Sequence, residues 1–145
     1  MSNSVLVEPH HLERRAVVYI RQSTEQQVLN NVESRRLQHA MRERAQQLGW
    51  HEEQIYIVES DTAKTAKTTK GRFAYQQLLS DVAQQKVGVV VSYESARLSR
   101  NCSDWYPLLD GCAAARSLIA DRDGVYYPAT ANGRLLLGMK GILSE

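Results

Sequence analysis

Arg21 and Ser23 stand two residues apart, Arg97 and Arg100 three apart, and Arg72 follows Gly71. One hydroxyl and four guanidiniums suit phosphoryl transfer. A guanidinium grips phosphate through planar, paired donors and stays charged at any working pH. Negative charge gathers on the non-bridging oxygens as phosphorus becomes pentacoordinate, so fixed arginines stabilise that state above the ground state. A serine hydroxyl is a weak nucleophile without activation. No histidine neighbours Ser23, which argues against a hydrolase triad, and dense positive charge would instead favour the alkoxide. The sequence does not name a general base.

Those residues need elements to hold them. Ala16 to Ile20 is a continuous apolar run, as expected of a strand covered on both faces of a parallel sheet, and Arg21 to Thr24 follow its end. From Val32 to Leu48 the spacing of Leu37, Met41, Ala45 and Leu48 predicts a helix, closed by Gly49. Ile55 to Val58 reads as a second strand, and Ser60 to Lys70 as a loop with regularly spaced Lys64, Lys67 and Lys70. Phe73 to Ala83 has helical period, with Phe73, Leu78, Leu79 and Val82 inward.

Val87 to Val91 is a strand on β-propensity alone. Ser103 to Ala115 makes a further helix, with Trp105, Leu108, Leu109 and Cys112 on its apolar face. Leu118 to Ala120 forms a fourth strand, Asp121 to Ala131 a turn-rich loop, and Arg134 to Leu143 another helix. Alternating strands and helices predict an α/β fold: a mostly parallel central sheet of about four strands with helices on both faces. Ligands in such sheets bind beyond the strands' carboxyl ends, where Arg21, Ser23, Arg97 and Arg100 fall.

Composition narrows the class. With 43% hydrophobic and 23% charged residues the chain reads as one soluble globular unit, and a net charge of +2 is too small to diagnose nucleic-acid binding. Two cysteines, Cys102 and Cys112, are too few for a disulfide framework and read as packing residues. His10, His11, His39 and His51 are scattered and read as structural or exposed, not as metal ligands. No apolar run is long enough to span a bilayer and no signal-peptide pattern opens the chain, so the expected location is cytoplasmic, away from membranes.

At the reactive residues the sequence becomes recognisable. Tyr19-Ile20-Arg21-Gln22-Ser23-Thr24 resembles the nucleophile motif of the serine site-specific recombinases, the resolvase and invertase family with its large integrase and transposase members. Arg97-Leu98-Ser99-Arg100-Asn101 resembles the family's paired-arginine motif, and Gly71-Arg72-Phe73 matches the position of a further active-site arginine. Leu135 to Gly141 resembles the start of the long helix that joins subunits. The similarity runs from Ala16 to the end.

This resemblance implies a resolvase-like catalytic domain whose Ser23 attacks the scissile phosphodiester, forming a 5′-phosphoserine link and releasing a 3′-hydroxyl. Arg21, Arg72, Arg97 and Arg100 would hold the phosphate, and Gln27 would help order the site. The family reaction uses no metal, ATP or other cofactor. Its partner is DNA, with self-association to dimers and tetramers. Lys64, Lys67 and Lys70 are expected as contacts to the DNA backbone.

The sequence departs from the family at Ala96, where an Asp or Ser usually precedes the paired arginines, and at Thr65 to Thr68, which replace a Ser-Gly pair. The expected organisation is an irregular lead-in over 1–15, a catalytic domain over 16–131, and over 132–145 a subunit-joining helix truncated at Glu145. Without a DNA-binding region after it, this chain alone is not expected to grip a specific site. Two further readings are a truncated or inactive recombinase domain serving as an assembly or regulatory module, and a small phosphate- or nucleotide-binding domain. The latter lacks a Gly-rich phosphate loop.

Overall fold

The computed structural model describes residues 6–21, 31–60, 69–92, 102–121 and 124–143. Its strands are β1 (Arg15–Arg21), β2 (Ile55–Ser60), β3 (Val87–Val91), β4 (Leu118–Ala120) and β5 (Val125–Tyr126). Its α-helices are α1 (Pro9–Leu12), α2 (Asn31–Leu48), α3 (Thr69–Ala83), α4 (Cys102–Ala115) and α5 (Ala131–Leu143). The strands form one sheet in the order β2-β1-β3-β4-β5, with β1 to β4 parallel and β5 antiparallel. No helix among the described residues is long and apolar enough to cross a membrane.

The strand order dictates where the helices lie. The step from β1 to β2 runs one way across the sheet, whereas the steps from β2 to β3 and from β3 to β4 run the other. Right-handed crossovers therefore put α2 on one face and α3 with α4 on the opposite face. The two cores agree. Ala16, Val18, Val89, Val91 and Leu118 pack with Met41, Ala45, Leu48 and Trp50, whereas Val17, Tyr19, Val87, Val90 and Ile119 pack with Leu78, Val82, Leu108, Leu109 and Cys112. β3 is buried throughout, because both of its faces are covered.

Val87 and Val90 share a face although they stand three positions apart, which regular pleating forbids. Arg15 pairs with Val87 and Ala16 with Val89, so Gly88 is the extra residue of a β-bulge. A Cβ at Gly88 would stand 2.2 Å from the His11 carbonyl oxygen and 3.0 Å from the Trp50 ring. Only glycine lets the segment before β1 cross this strand so closely.

Three helices end alike beside the amino-terminal edge of the sheet. In α2 the Trp50 amide reaches the Ala45 carbonyl and that of Gly49 reaches Gln46; in α3 Lys86 reaches Asp81 and Gln85 reaches Val82; in α4 Ser117 reaches Cys112 and Arg116 reaches Ala113. Each pair is a Schellman closure with its C′ residue at positive φ: 122° at Gly49, 62° at Gln85 and 60° at Arg116. The Gly49 stop was legible; the two non-glycine stops were not, because β-carbons disfavour that conformation.

Several sequence expectations need correction. Of the stretch read as an irregular lead-in over 1–15, the described part begins at residue 6: Pro9–Leu12 is helical, Arg15 already belongs to β1, and His11 is fully buried. Lys70 lies in α3, which starts at Thr69, and not in the preceding loop. The stretch after β4 holds β5, joined by the Asp121 amide, which donates to the Gly124 carbonyl, and by the Asp121 carboxylate, which accepts the Gly124 amide. Its signal was available in Asp123-Gly124 followed by Val125-Tyr126. Elsewhere Leu78, Val82, Leu108, Leu109 and Cys112 are buried as read from periodicity.

Two outcomes follow. Gly88→Ala is expected to destabilise the fold by roughly 3 kcal/mol, a melting-temperature drop on the order of 10 °C, readable by calorimetry. Gln85→Gly should raise stability by roughly 0.5–1 kcal/mol, because it removes a strained β-carbon from the left-handed region. An unchanged or lower melting temperature would contradict the second.

Candidate functional site

Because β1 to β4 are parallel, their carboxyl ends share one edge, and the order reverses between β1 and β3. That reversal opens the crevice in which open α/β sheets bind ligands. The edge is stepped. Arg21 at the end of β1 pairs with Ser60 at the end of β2, whereas the last residue of β3, Val91, pairs with Val18. Three residues of β1 thus run past β3, a step of roughly 10 Å.

The floor of that step is polar. The Ser92 amide donates to the Ala120 carbonyl at 3.0 Å, and Ser92 and Asp121 are buried directly past β3 and β4. Asp121 Oδ1 accepts the Gly124 amide at 2.9 Å, and the Asp121 carbonyl accepts from Arg44 Nε of α2 at 3.1 Å. Sequence reasoning missed both residues, since neither belongs to a reactive motif. The Asp-x-x-Gly spacing at 121–124 was the available signal, and it speaks for a turn.

Of the predicted site residues, three fall in described elements and are placed by backbone alone. Arg21 ends β1; Lys70 and Arg72 lie in the first turn of α3, after the end of β2. That first turn holds no acidic residue. Cations there oppose the helix dipole, which disfavours each by about 0.3–1 kcal/mol unless an anion sits nearby. Ser23, Gln27, Lys64, Lys67, Arg97 and Arg100 lie outside the described residues, as does Ala96. The stretches carrying them leave β1, β2 and β3 at the same stepped edge.

The other cluster of titratable groups lies at the opposite edge. Ligand atoms of Glu8, His10 and His11 come within 4.8 Å of one another. Both His11 ring nitrogens are already engaged, however. Nδ1 accepts the Glu8 amide at 2.9 Å, and Nε2 lies 2.8 Å from the Arg116 carbonyl. This pattern assigns the neutral Nε2–H tautomer, and a metal would have to break one of the two bonds. Its role is fastening. Burial is also the first cause holding the His11 imidazole below its ordinary value. It pushes the Cys112 thiol up to about 12, which makes that thiol inert and confirms its packing role. The Cys102 side chain lies outside the description.

Comparison with known proteins agrees with this architecture. The chain resembles the N-terminal catalytic domain of TP901-1 integrase with a TM-score of 0.65 at 20% identity, covering 90% of this chain and 94% of that one. A resolvase family site-specific recombinase from Streptococcus pneumoniae matches with a TM-score of 0.53 at 18% identity, over 90% of this chain and 85% of the other. At these identities the likeness establishes the fold. A protein of Sinorhizobium fredii named "Uncharacterized protein y4bA/y4pH" is 44% identical over 142 residues, which are 98% of this chain but 20% of that protein. The family model described as "Resolvase, N terminal domain" matches residues 16–145. With nearly the whole sheet and its helices inside that match, the chain belongs to the resolvase N-terminal domain family.

Proposed function

We propose that this chain is the catalytic domain of a serine site-specific DNA recombinase, with Ser23 as nucleophile. The observation that supports the reading is the shared, stepped carboxyl edge of β1, β2 and β3, with strand order reversing between β1 and β3; the serine- and arginine-bearing stretches follow those strands in the sequence. Two residues of chain reach at most about 7 Å, so Ser23 is tethered close to the end of β1. Family membership and the printed names of the two structural relatives support the same chemistry.

In this reading the Ser23 oxygen attacks the scissile phosphorus and loses its proton, a phosphoserine ester forms to the 5′ side, and the 3′-oxygen leaves with a proton. Arg21, Arg72, Arg97 and Arg100 bind the non-bridging oxygens and stabilise their charge as phosphorus becomes pentacoordinate. Gln27 orders the site, and Lys64, Lys67 and Lys70 meet the DNA backbone. The ester retains the energy of the broken bond, so religation by the 3′-hydroxyl proceeds without ATP or metal.

Self-association fits the exposed side of α5. Leu135, Leu136 and Met139 are 61%, 41% and 50% exposed, while Leu137 on the same helix is fully buried in the core. Arg134 bonds Asp110 of α4, and Thr130 Oγ1 caps the helix by accepting the Gly133 amide at 3.0 Å. A second copy laying its own α5 across this face would remove that apolar surface from water. The alternative, an inactive assembly module, draws on Ala96 and on this same face.

A nicked suicide substrate, presented to the domain joined to an added DNA-binding region, tests the chemistry. Covalent protein–DNA adduct is expected from the wild type and none from Ser23→Ala, with unchanged circular dichroism. Arg72→Ala should slow adduct formation by about 10²–10³-fold. Adduct from the alanine variant at Ser23 refutes the nucleophile, and none from the wild type favours the inactive module. Leu135→Glu combined with Met139→Glu is expected to shift sedimentation toward monomer without lowering the melting temperature.

A further inference from the structure

Residues 6–14 precede the stretch that the family model matches, yet they are fastened to the body of the fold. Leu6, Val7 and Leu12 pack against the core that contains Trp50 and Val89. The Leu12 carbonyl accepts from Gln54 Nε2 at 2.8 Å, and the Arg14 carbonyl from Trp50 Nε1 at 3.1 Å. Arg14 Nη1 donates to the Ala115 carbonyl at 2.7 Å. The segment thus closes the amino-terminal edge of the sheet and holds the last carbonyls of α4.

His11 is the buried polar link in this arrangement, with a relative exposure of 0%. Its neutral ring satisfies both neighbours at once: Nδ1 receives the Glu8 amide, and Nε2–H donates to the Arg116 carbonyl. A second proton on Nδ1 would point at the Glu8 N–H, replacing a hydrogen bond by two opposed donors around a fully buried ring. The ring cannot swing aside cheaply, since it is fully buried and packed against the His10 and Tyr127 rings.

We infer that residues 6–14 form a clasp that acidification releases, with His11 as the proton acceptor whose charging undocks the segment from the end of α4. The groups around the ring set the direction. The His10 ring stands 3.9 Å away and the Arg14 guanidinium is nearby; both oppose a charge on His11, while the Glu8 carboxylate favours it. Arg116 at the end of α4 supplies the bonded carbonyl, and the Tyr127 ring beyond β5 meets the imidazole edge-on at 5.4 Å. β3 presents the backbone of Gly88. Desolvation is the largest influence and lowers the imidazole's affinity for a proton in the docked state.

The sign follows from linkage. An undocked His11 has the ordinary value of 6.5, so below that pH the open segment takes up a proton that the docked one refuses. Docking is at full strength above the ordinary value and weakens as pH falls toward the lowered one. At pH 5.5 a free imidazole is about ten parts protonated to one neutral, which caps the increase in opening at about tenfold.

Hydrogen exchange followed by mass spectrometry, corrected for the intrinsic pH dependence of exchange, tests this on the intact protein. Between pH 7.5 and 5.5, opening of residues 6–14 and of the Arg116 and Ser117 amides should rise by up to about tenfold, while β3 keeps its protection. His11→Gln, whose amide can still accept from Glu8 and donate to Arg116, should show no such response; His10→Gln should respond as the wild type does. Equal protection at both pH values overturns the proposal, as does a response that survives in His11→Gln or vanishes in His10→Gln. Should His11→Gln fold poorly, an NMR titration of the wild-type imidazole decides, because a midpoint at or above the ordinary value also overturns it.

Discussion

A parallel sheet whose central strands are covered on both faces can carry chemistry only at its two ends. Ala16 to Tyr19 of β1 and the valines of β3 bury their side chains against helices on either side, which leaves no room for a charged group between the strand ends. Among the described residues, the buried polar side chains His11, Ser92, Ser117 and Asp121 all lie at one edge or the other. The carboxyl edge holds Ser92, Asp121 and the end of β1 at Arg21, and the amino edge receives the helix ends and the segment before β1.

The two edges are built differently. At the amino edge α2, α3 and α4 all close in six-to-one and five-to-two hydrogen bonds, so orphan carbonyls find partners within the chain. Arg14 and His11 serve the carbonyls of Ala115 and Arg116, and the Ser117 hydroxyl donates to Val87 at 2.7 Å. This edge is a ring of satisfied bonds. The carboxyl edge instead sets strand ends of unequal reach above buried Ser92 and Asp121, and it starts α3 with cations that oppose the helix dipole. Local rules are kept where the fold is anchored and broken where a ligand's charge would repair them.

What the sequence made legible follows the same division. The cores of both faces could be read from periodicity, because Met41, Ala45 and Leu48, or Leu78 and Val82, repeat as a packed helix must. β3 announced itself by composition. Reading failed where a backbone bond outranked a side-chain pattern: β5 has two residues and no room for alternation, and Pro9–Leu12 is too short for a helical period. Burial of His11 was hidden for a related reason. Its partners, Glu8 and Arg116, are joined to it through backbone atoms, and backbone acceptors leave no trace in residue identity. Of the residues read as reactive, Arg21 at the end of β1 and Arg72 in the first turn of α3 fall within described elements.

The Gly88 bulge couples parts of the molecule that are far apart in sequence. Because the missing β-carbon is what admits the His11 carbonyl, the penalty for any side chain at 88 is a joint property of that position and the first dozen residues. A variant shortened to begin at β1 would tolerate alanine there far better than the intact chain, so the two changes would be strongly non-additive. The acceptability of one substitution in the central sheet is thus decided by sequence more than seventy positions upstream.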